Sequence, residues 1–196
     1  QTSGNYAISR FDGILTVNQT GLTITANADS KTYNGLAYTG GNGVAYVGFV
    51  NGETATVLGG ALTYAGTSQG ATNAGSYAVV GTIANANYQG TAAGTLVIAK
   101  ANQTITFGAL ENRVYGDAPF NLTATASSGL PVSFGLDTGS AAAVGLSAAV
   151  SPSTLTSLNG STGTVKLIAT QAGNTNYDAA STASADHEVT KANQKI

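Results

Sequence analysis

Leu22-Thr23-Ile24-Thr25-Ala26-Asn27-Ala28-Asp29-Ser30-Lys31-Thr32-Tyr33-Asn34-Gly35 begins with a strict alternation of apolar and polar side chains and ends on a Tyr beside a turn. Alternation of period 2 puts one row of side chains on each face of a strand, so Leu22, Ile24 and Ala26 predict a half-buried β-strand. The same pattern returns at residues 77–83, 103–107, 121–125 and 164–170. Between these runs lie Gly40-Gly41-Asn42-Gly43, Asn51-Gly52, Gly59-Gly60, Ala74-Gly75 and Asn159-Gly160. In each of them Gly offers the positive φ that tight hairpins require. Apolar spacing of 3 and 4 never runs far without a Gly, and the helix formers Glu, Lys and Arg are scarce. Short strands, turns about every 8–12 residues and no helical crossover predict an antiparallel β-sandwich.

Two marks repeat at one distance. Asn-Tyr stands at Asn5-Tyr6, Asn87-Tyr88 and Asn176-Tyr177, and a Tyr beside a turn stands at Tyr33-Asn34-Gly35 and Tyr115-Gly116-Asp117. From Asn5 to Asn87 is 82 residues, and so is the distance from Tyr33 to Tyr115. Lys100-Ala101-Asn102-Gln103 returns as Lys191-Ala192-Asn193-Gln194, 91 residues on. A period shared by separate marks predicts duplicated units. The expected fold is therefore all-β, with tandem Ig-like β-sandwich repeats in an elongated array. Residues 18–99 and 100–190 are expected to be two repeats, and residues 191–196 the start of the next.

Residues 1–17 are expected to be the terminal strands of a preceding repeat. They would be residues 6–9 and 14–17 joined through Asp12-Gly13, or else strands donated to a neighbouring subunit. Strand leads into strand across Lys100-Ala101 without a Gly/Ser spacer, which predicts a stiff rod. The structural marks of the repeat are Asn5, Tyr6, Tyr33, Gly35, Asn87, Tyr88, Tyr115, Gly116, Asn176 and Tyr177.

Composition narrows the function classes. Only 8% of the 196 residues are charged and 42% are apolar, with 26 Gly and a net charge of −2. Disordered chains are less apolar and more highly charged. Seven Lys and Arg spread along the chain form no basic footprint for nucleic acid. Cys, Met and Trp are absent, which with the Gly/Thr/Asn bias points to a bacterial exoprotein. Gln1 is not expected to be a natural start, and any export signal or anchor is expected outside this segment. No apolar run approaches the ~18–20 residues of a membrane-spanning helix.

The run Leu22 to Gly35, with Phe49-Val50-Asn51-Gly52-Glu53-Thr54, Asn73-Ala74-Gly75-Ser76-Tyr77 and the stretch from Asn5-Tyr6 to Val17, resembles MBG-type and related YDG-type repeats. Those repeats occur in large bacterial adhesins, including filamentous-haemagglutinin-like exoproteins. Residues 103–107, Tyr115-Gly116-Asp117-Ala118-Pro119-Phe120 and Asn174-Thr175-Asn176-Tyr177 look like a divergent relative with an Ig-like middle. The resemblance implies an extracellular, repeat-built surface protein and transfers no catalytic residue.

Candidate sites follow residue by residue. The tyrosines Tyr6, Tyr33, Tyr88, Tyr115 and Tyr177 are expected to pack at sandwich edges with their hydroxyls bonded to nearby backbone. His187, the single histidine, is flanked by Asp186 and Glu188, but strand neighbours point to opposite faces and cannot converge on one ion. It is expected to be a surface residue, without a zinc site or a serine triad around it. Nine scattered acids carry no Asp-x-Asp motif for calcium, although Glu111 with Asp117, or Asp178 with a junction acid, could meet in space. A buried Lys beside Asn and an acid could form an isopeptide bond, and Lys31, Lys100, Lys166 and Lys191 are the candidates. Four Asn-x-Ser/Thr sequons, at Asn18, Asn102, Asn121 and Asn159, fit so Asn- and Thr-rich a chain without glycosylation.

The chain is thus expected to be a stalk segment of a secreted bacterial cell-surface adhesin or fibre protein, with no catalysis and no cofactor. Its partners would be neighbouring repeats of the same protein. Two alternatives stand beside this: a filament subunit polymerised head to tail by β-strand addition, and a module that binds carbohydrate or a host protein.

Overall fold

The computed structural model describes residues 12–137, 144–146, 153–157 and 162–194. The chain forms two compact units. One gathers the chain up to Asp29 with Tyr38–Gly70 and Tyr77–Leu96; the other gathers Ser30–Ala37, Ala71–Ser76 and the chain from Val97 onward.

Among the described residues, the first half of the chain supplies seven strands. They are β1 (Thr20–Gly21), β2 (Thr23–Ala26), β3 (Asp29–Thr32), β4 (Val44–Val47), β5 (Leu62–Ala65), β6 (Gly75–Ala84) and β7 (Tyr88–Ala99). One sheet runs β1-β7-β6-β5 with β3 also on β7, and β2 pairs antiparallel with β4. Alternation explains the core of this unit. Tyr88 and Ala92 of β7, Ile83 of β6 and Leu22 and Ile24 beside and in β2 are all buried and pack together with Leu58. Leu58 closes a single 3-10 turn, Ala55–Leu58, ended by Gly59 in the left-handed region at φ 58°.

The second half supplies β8 (Ile105–Phe107), β9 (Arg113–Val114), β10 (Phe120–Leu122), β11 (Ala124–Ala126), β12 (Ser133–Leu136), β13 (Val144–Leu146), β14 (Ser153–Ser157), β15 (Gly163–Thr170) and β16 (Ala183–Thr190). The sheets are β12-β15-β16-β9 and β10-β14-β13, with β8 paired to β11. Leu122, Leu155, Val165, Leu167, Ala169 and Val189 are at most 1% exposed and form one core with Phe134 and Val132. Lys166 and Asp186, register partners across β15 and β16, lie on the outward face.

The fold is all-β, as the alternation predicts, but it departs from the expectation in two ways. First, it is not purely antiparallel: β1 runs parallel to β7, and β9 runs parallel to β16. A period of 2 reports which face a side chain takes and carries nothing about strand direction. Second, residues 12–19 form no strand, and Ile14, Leu15 and Val17 are 95%, 88% and 84% exposed. Their alternation finds no edge to pair with. Residues 6–9, expected as the preceding strand, lie outside the described residues.

Corresponding backbone bonds occur in both halves. Thr20 N–H donates to Asn87 O (2.7 Å), and Ala101 N–H donates to Asn176 O (2.9 Å). Tyr33 N–H donates to Ala99 O and Tyr115 N–H to Thr190 O, each at 2.8 Å. Thr20 faces Tyr88 in parallel register, and Ala101 faces Tyr177 in the same way. These pairs align residues 13–24 with 94–105, so Leu15 corresponds to Leu96 and Val17 to Ile98. They also align Lys191 with Lys100, Val189 with Ile98 and His187 with Leu96.

Candidate functional site

The loops before Asn87-Tyr88 and Asn176-Tyr177 are each built by an Asn two residues earlier. Asn85 Oδ1 accepts the N–H groups of Asn87 (2.9 Å) and Tyr88 (2.8 Å). Asn174 Oδ1 accepts those of Asn176 (2.8 Å) and Tyr177 (3.0 Å). Each loop is closed by a backbone bond of 3.0 Å, from Asn85 N–H to Tyr88 O and from Asn174 N–H to Tyr177 O. Asn does this because its short amide reaches its own backbone two residues on. The marks Asn87-Tyr88 and Asn176-Tyr177 are thus the second half of Asn-x-Asn-Tyr, a pattern visible in the sequence. Asn5 and Tyr6 lie outside the described residues.

The two described tyrosines at this corner take different surroundings. Tyr88 is 1% exposed; its hydroxyl accepts Val50 N–H (3.2 Å) and donates to the Glu53 carboxylate. Its ring meets Phe49 edge-on at 5.3 Å. The bond to Glu53, which holds the phenol proton, is the main cause of its raised pKa. Tyr177 is half-buried and meets Tyr33 edge-on, with centroids 5.4 Å apart and planes at 77°. Beside it, Asn176 Oδ1 accepts Ala74 N–H (2.9 Å) and Asn176 Nδ2 donates to Asn73 Oδ1 (3.0 Å). Tyr33, Asn73, Ala74, Asn176 and Tyr177 all belong to the second compact unit. Asn87, in the first, is exposed.

Both Tyr turns use glycine in the left-handed region, Gly35 at φ 75° and Gly116 at φ 92°. Asn34 Oδ1 accepts Leu36 N–H (3.1 Å) at the first, and Asp117 Oδ2 accepts Val114 N–H (2.9 Å) at the second. The rings differ in cover: Tyr33 is half-buried under Tyr177, whereas Tyr115 is 41% exposed.

His187 is buried, 2% exposed, and not the surface residue its neighbours suggest. It takes the inward position held by Leu96 in the first half. Asp186 and Glu188 point outward on either side of it. Nδ1 donates to Glu111 O (2.9 Å), the ring lies 5.3 Å from Phe120, and the Arg113 guanidinium sits over Phe120 at 4.9 Å. Burial is the main cause of the lowered His187 pKa; the Glu111 carbonyl opposes it and the Arg113 charge adds to it. Next to the imidazole, Gly108, Glu111, Arg113, Phe120 and Thr123 line an open cleft of about 200 Å³.

Among the described residues, no three of His, Asp and Glu converge on a point that could hold a metal ion. Glu111 lies 3.9 Å from the Arg113 guanidinium, and Asp117 accepts Val114 N–H at its own turn. The four candidate lysines are not buried as isopeptide chemistry requires. Lys100, Lys166 and Lys191 are exposed, and Lys31 donates to Leu36 O (2.8 Å) from a half-buried position.

Residues 22–102 match the family model of the MBG domain. No curated protein sequence is detectably similar to the chain. Among solved structures, titin domains z1z2 in complex with telethonin are 15% identical, with 91% of this chain and 100% of that chain covered at a TM-score of 0.45. Mouse cadherin-23 EC22-24 is 13% identical, with 86% and 66% covered at 0.35. A SusE-like surface located polysaccharide binding protein from Bacteroides thetaiotaomicron is 17% identical, with 86% and 34% covered at 0.31. Likenesses at these TM-scores carry no argument about function.

Proposed function

We propose that this chain, whose residues 22–102 are an MBG domain, is a non-catalytic stalk segment of a secreted bacterial surface protein. Residues 18–99 and 100–190 act as successive repeats and hold an adhesive part away from the cell. One observation carries this reading: the two halves make the same backbone bonds at the same marks, Tyr33 to Ala99 and Tyr115 to Thr190. Each half also has an apolar core of its own. Units that bury their own interior and repeat in sequence suit a load-carrying column. Small-angle X-ray scattering tests it on a longer chain in which residues 1–191 are followed directly by residues 101–196. The maximum dimension should grow by about the length of a 12-residue strand, roughly 40 Å, for the added unit. Growth in girth at constant length would sink the stalk.

A second reading is favoured by residues 13–17. Leu15 and Val17 are exposed, yet they correspond to Leu96 and Ile98, which are 0% and 2% exposed. Side chains of this type belong in a core, supplied either by a preceding repeat or by another subunit that receives the strand. Strand donation would give a head-to-tail polymer. Negative-stain microscopy of the chain with and without residues 1–17 separates the two; filaments unchanged by the deletion remove donation.

A further inference from the structure

We propose that Tyr115 marks a docking surface for the Asn-x-Asn-Tyr corner of another unit of this kind, entered through Lys191-Ala192-Asn193-Gln194. The proposal rests on the stalk reading and names the contact that would join successive units. Its template lies within the second compact unit. There Tyr33 donates its N–H to Ala99 O, Lys100-Ala101 follows, and Ala101 is bridged in parallel to Tyr177. That bridge brings the Tyr177 ring edge-on to Tyr33 at 5.4 Å.

The first two elements of the template, the backbone bond and the Lys-Ala step, recur at Tyr115. Tyr115 donates its N–H to Thr190 O, and Gly116 turns the chain as Gly35 does. Lys191-Ala192-Asn193-Gln194 then follows Thr190 as Lys100-Ala101-Asn102-Gln103 follows Ala99. A chain paired to Ala192 as residues 176–178 pair to Ala101 brings its tyrosine onto Tyr115. The surface it would cover is apolar: Val114 and Tyr115 are 40% and 41% exposed. An edge-to-face aromatic pair adds attraction beyond the area it buries. The corner must be of the Tyr177 type. Tyr88 keeps its ring in its own core against Phe49, so the Asn87 corner of a second copy does not present the required ring.

The test is hydroxyl-radical footprinting, read by peptide mass spectrometry, on the native chain and on residues 1–191 followed by 101–196. Tyr115→Phe in the trailing copy tells the two copies apart. In the native chain Tyr33 should react severalfold more slowly than Tyr115. In the longer chain the leading Tyr115 should slow to the level of Tyr33, and Tyr177→Ala in the trailing copy should restore its rate. A leading Tyr115 as reactive as in the native chain overturns the proposal, even where scattering shows the molecule has lengthened as a stalk. Native Tyr177→Ala supplies a second check that does not need the added unit. It should raise Tyr33 to the reactivity of Tyr115, and an unchanged Tyr33 removes the template and the proposal together.

Discussion

Single side chains decide the corners and one pH response. Asn85 and Asn174 each accept two backbone N–H groups that their loops would otherwise leave to water. Asn85→Ala and Asn174→Ala should each cost about 0.5–1.5 kcal/mol in denaturant melts, the net worth of such a bond. A serine at the same position should recover part of it, since its hydroxyl closes the same turn more weakly. His187 sets a second expectation. Its folded pKa is lowered chiefly by burial, so the fold prefers the neutral ring. The unfolded chain takes up its proton near about pH 6.5. The stabilising contribution is therefore complete above that pH and is lost as the pH falls through the lower folded value. Arg113 and Asp117 line one pocket with His187, and of these Arg113 lowers its pKa, while Asp186 and Glu188 look outward. His187→Leu, which restores the residue found at the corresponding position 96, should leave the melting temperature at pH 7.5 nearly unchanged. It should also flatten the fall between pH 7.5 and 5.5; an equally steep fall in the variant would place the proton elsewhere.

At the scale of strands, one residue type in one position behaves in two ways. Leu96 and Leu15 correspond, but Leu96 is fully buried in β7 and Leu15 is 88% exposed. Leu96→Ala should destabilise by about 2–5 kcal/mol, the transfer loss plus the cavity. Leu15→Ala in the same chain should stay within about 0.5 kcal/mol of zero, as surface substitutions do. Equal losses in denaturant titrations would mean that residue 15 has a core to fill after all. The contrast also marks what alternation can reveal. Residues 77–83 and 164–170 read as strands and lie in β6 and β15, because both edges of each pair with a neighbouring strand. Residues 14–17 have the same pattern and form none, since a pattern records the capacity to pair and not the presence of a partner. Residues 121–125 split at Thr123 into β10 and β11, which pair with different strands. His187 was legible too, since Ala185 and Val189 two positions away are apolar and place residue 187 on their face. Its charged immediate neighbours were the misleading part. The parallel placement of β1 and β9 was not legible, because no local rule encodes direction.

Across the whole molecule, charge is nearly irrelevant to what holds the chain together. Only 8% of residues are charged and the net charge is −2, so long-range repulsion and attraction are both small. The Arg113–Glu111 contact is long, at 3.9 Å, and Glu111 is 87% exposed, the kind of pair worth about 0–1 kcal/mol. All nine acids lie among the described residues, and no three of them, with or without His187, gather at one point. Calcium sites that stiffen a protein usually draw on several carboxylates at once. Stability should therefore come from the two apolar cores and the backbone ladders, neither of which is weakened by charge screening. Melting temperatures in 1 mM chelator, in millimolar calcium and between 0.05 and 1 M sodium chloride should agree within about a degree, since salt screens only what charges contribute. A rise with calcium that chelator reverses would show that Asn side chains and turn carbonyls, abundant here, assemble a cation site with a single acid such as Glu53. A steep fall with sodium chloride would instead give charge pairs such as Arg113–Glu111 a structural weight that the exposure of Glu111 denies this one.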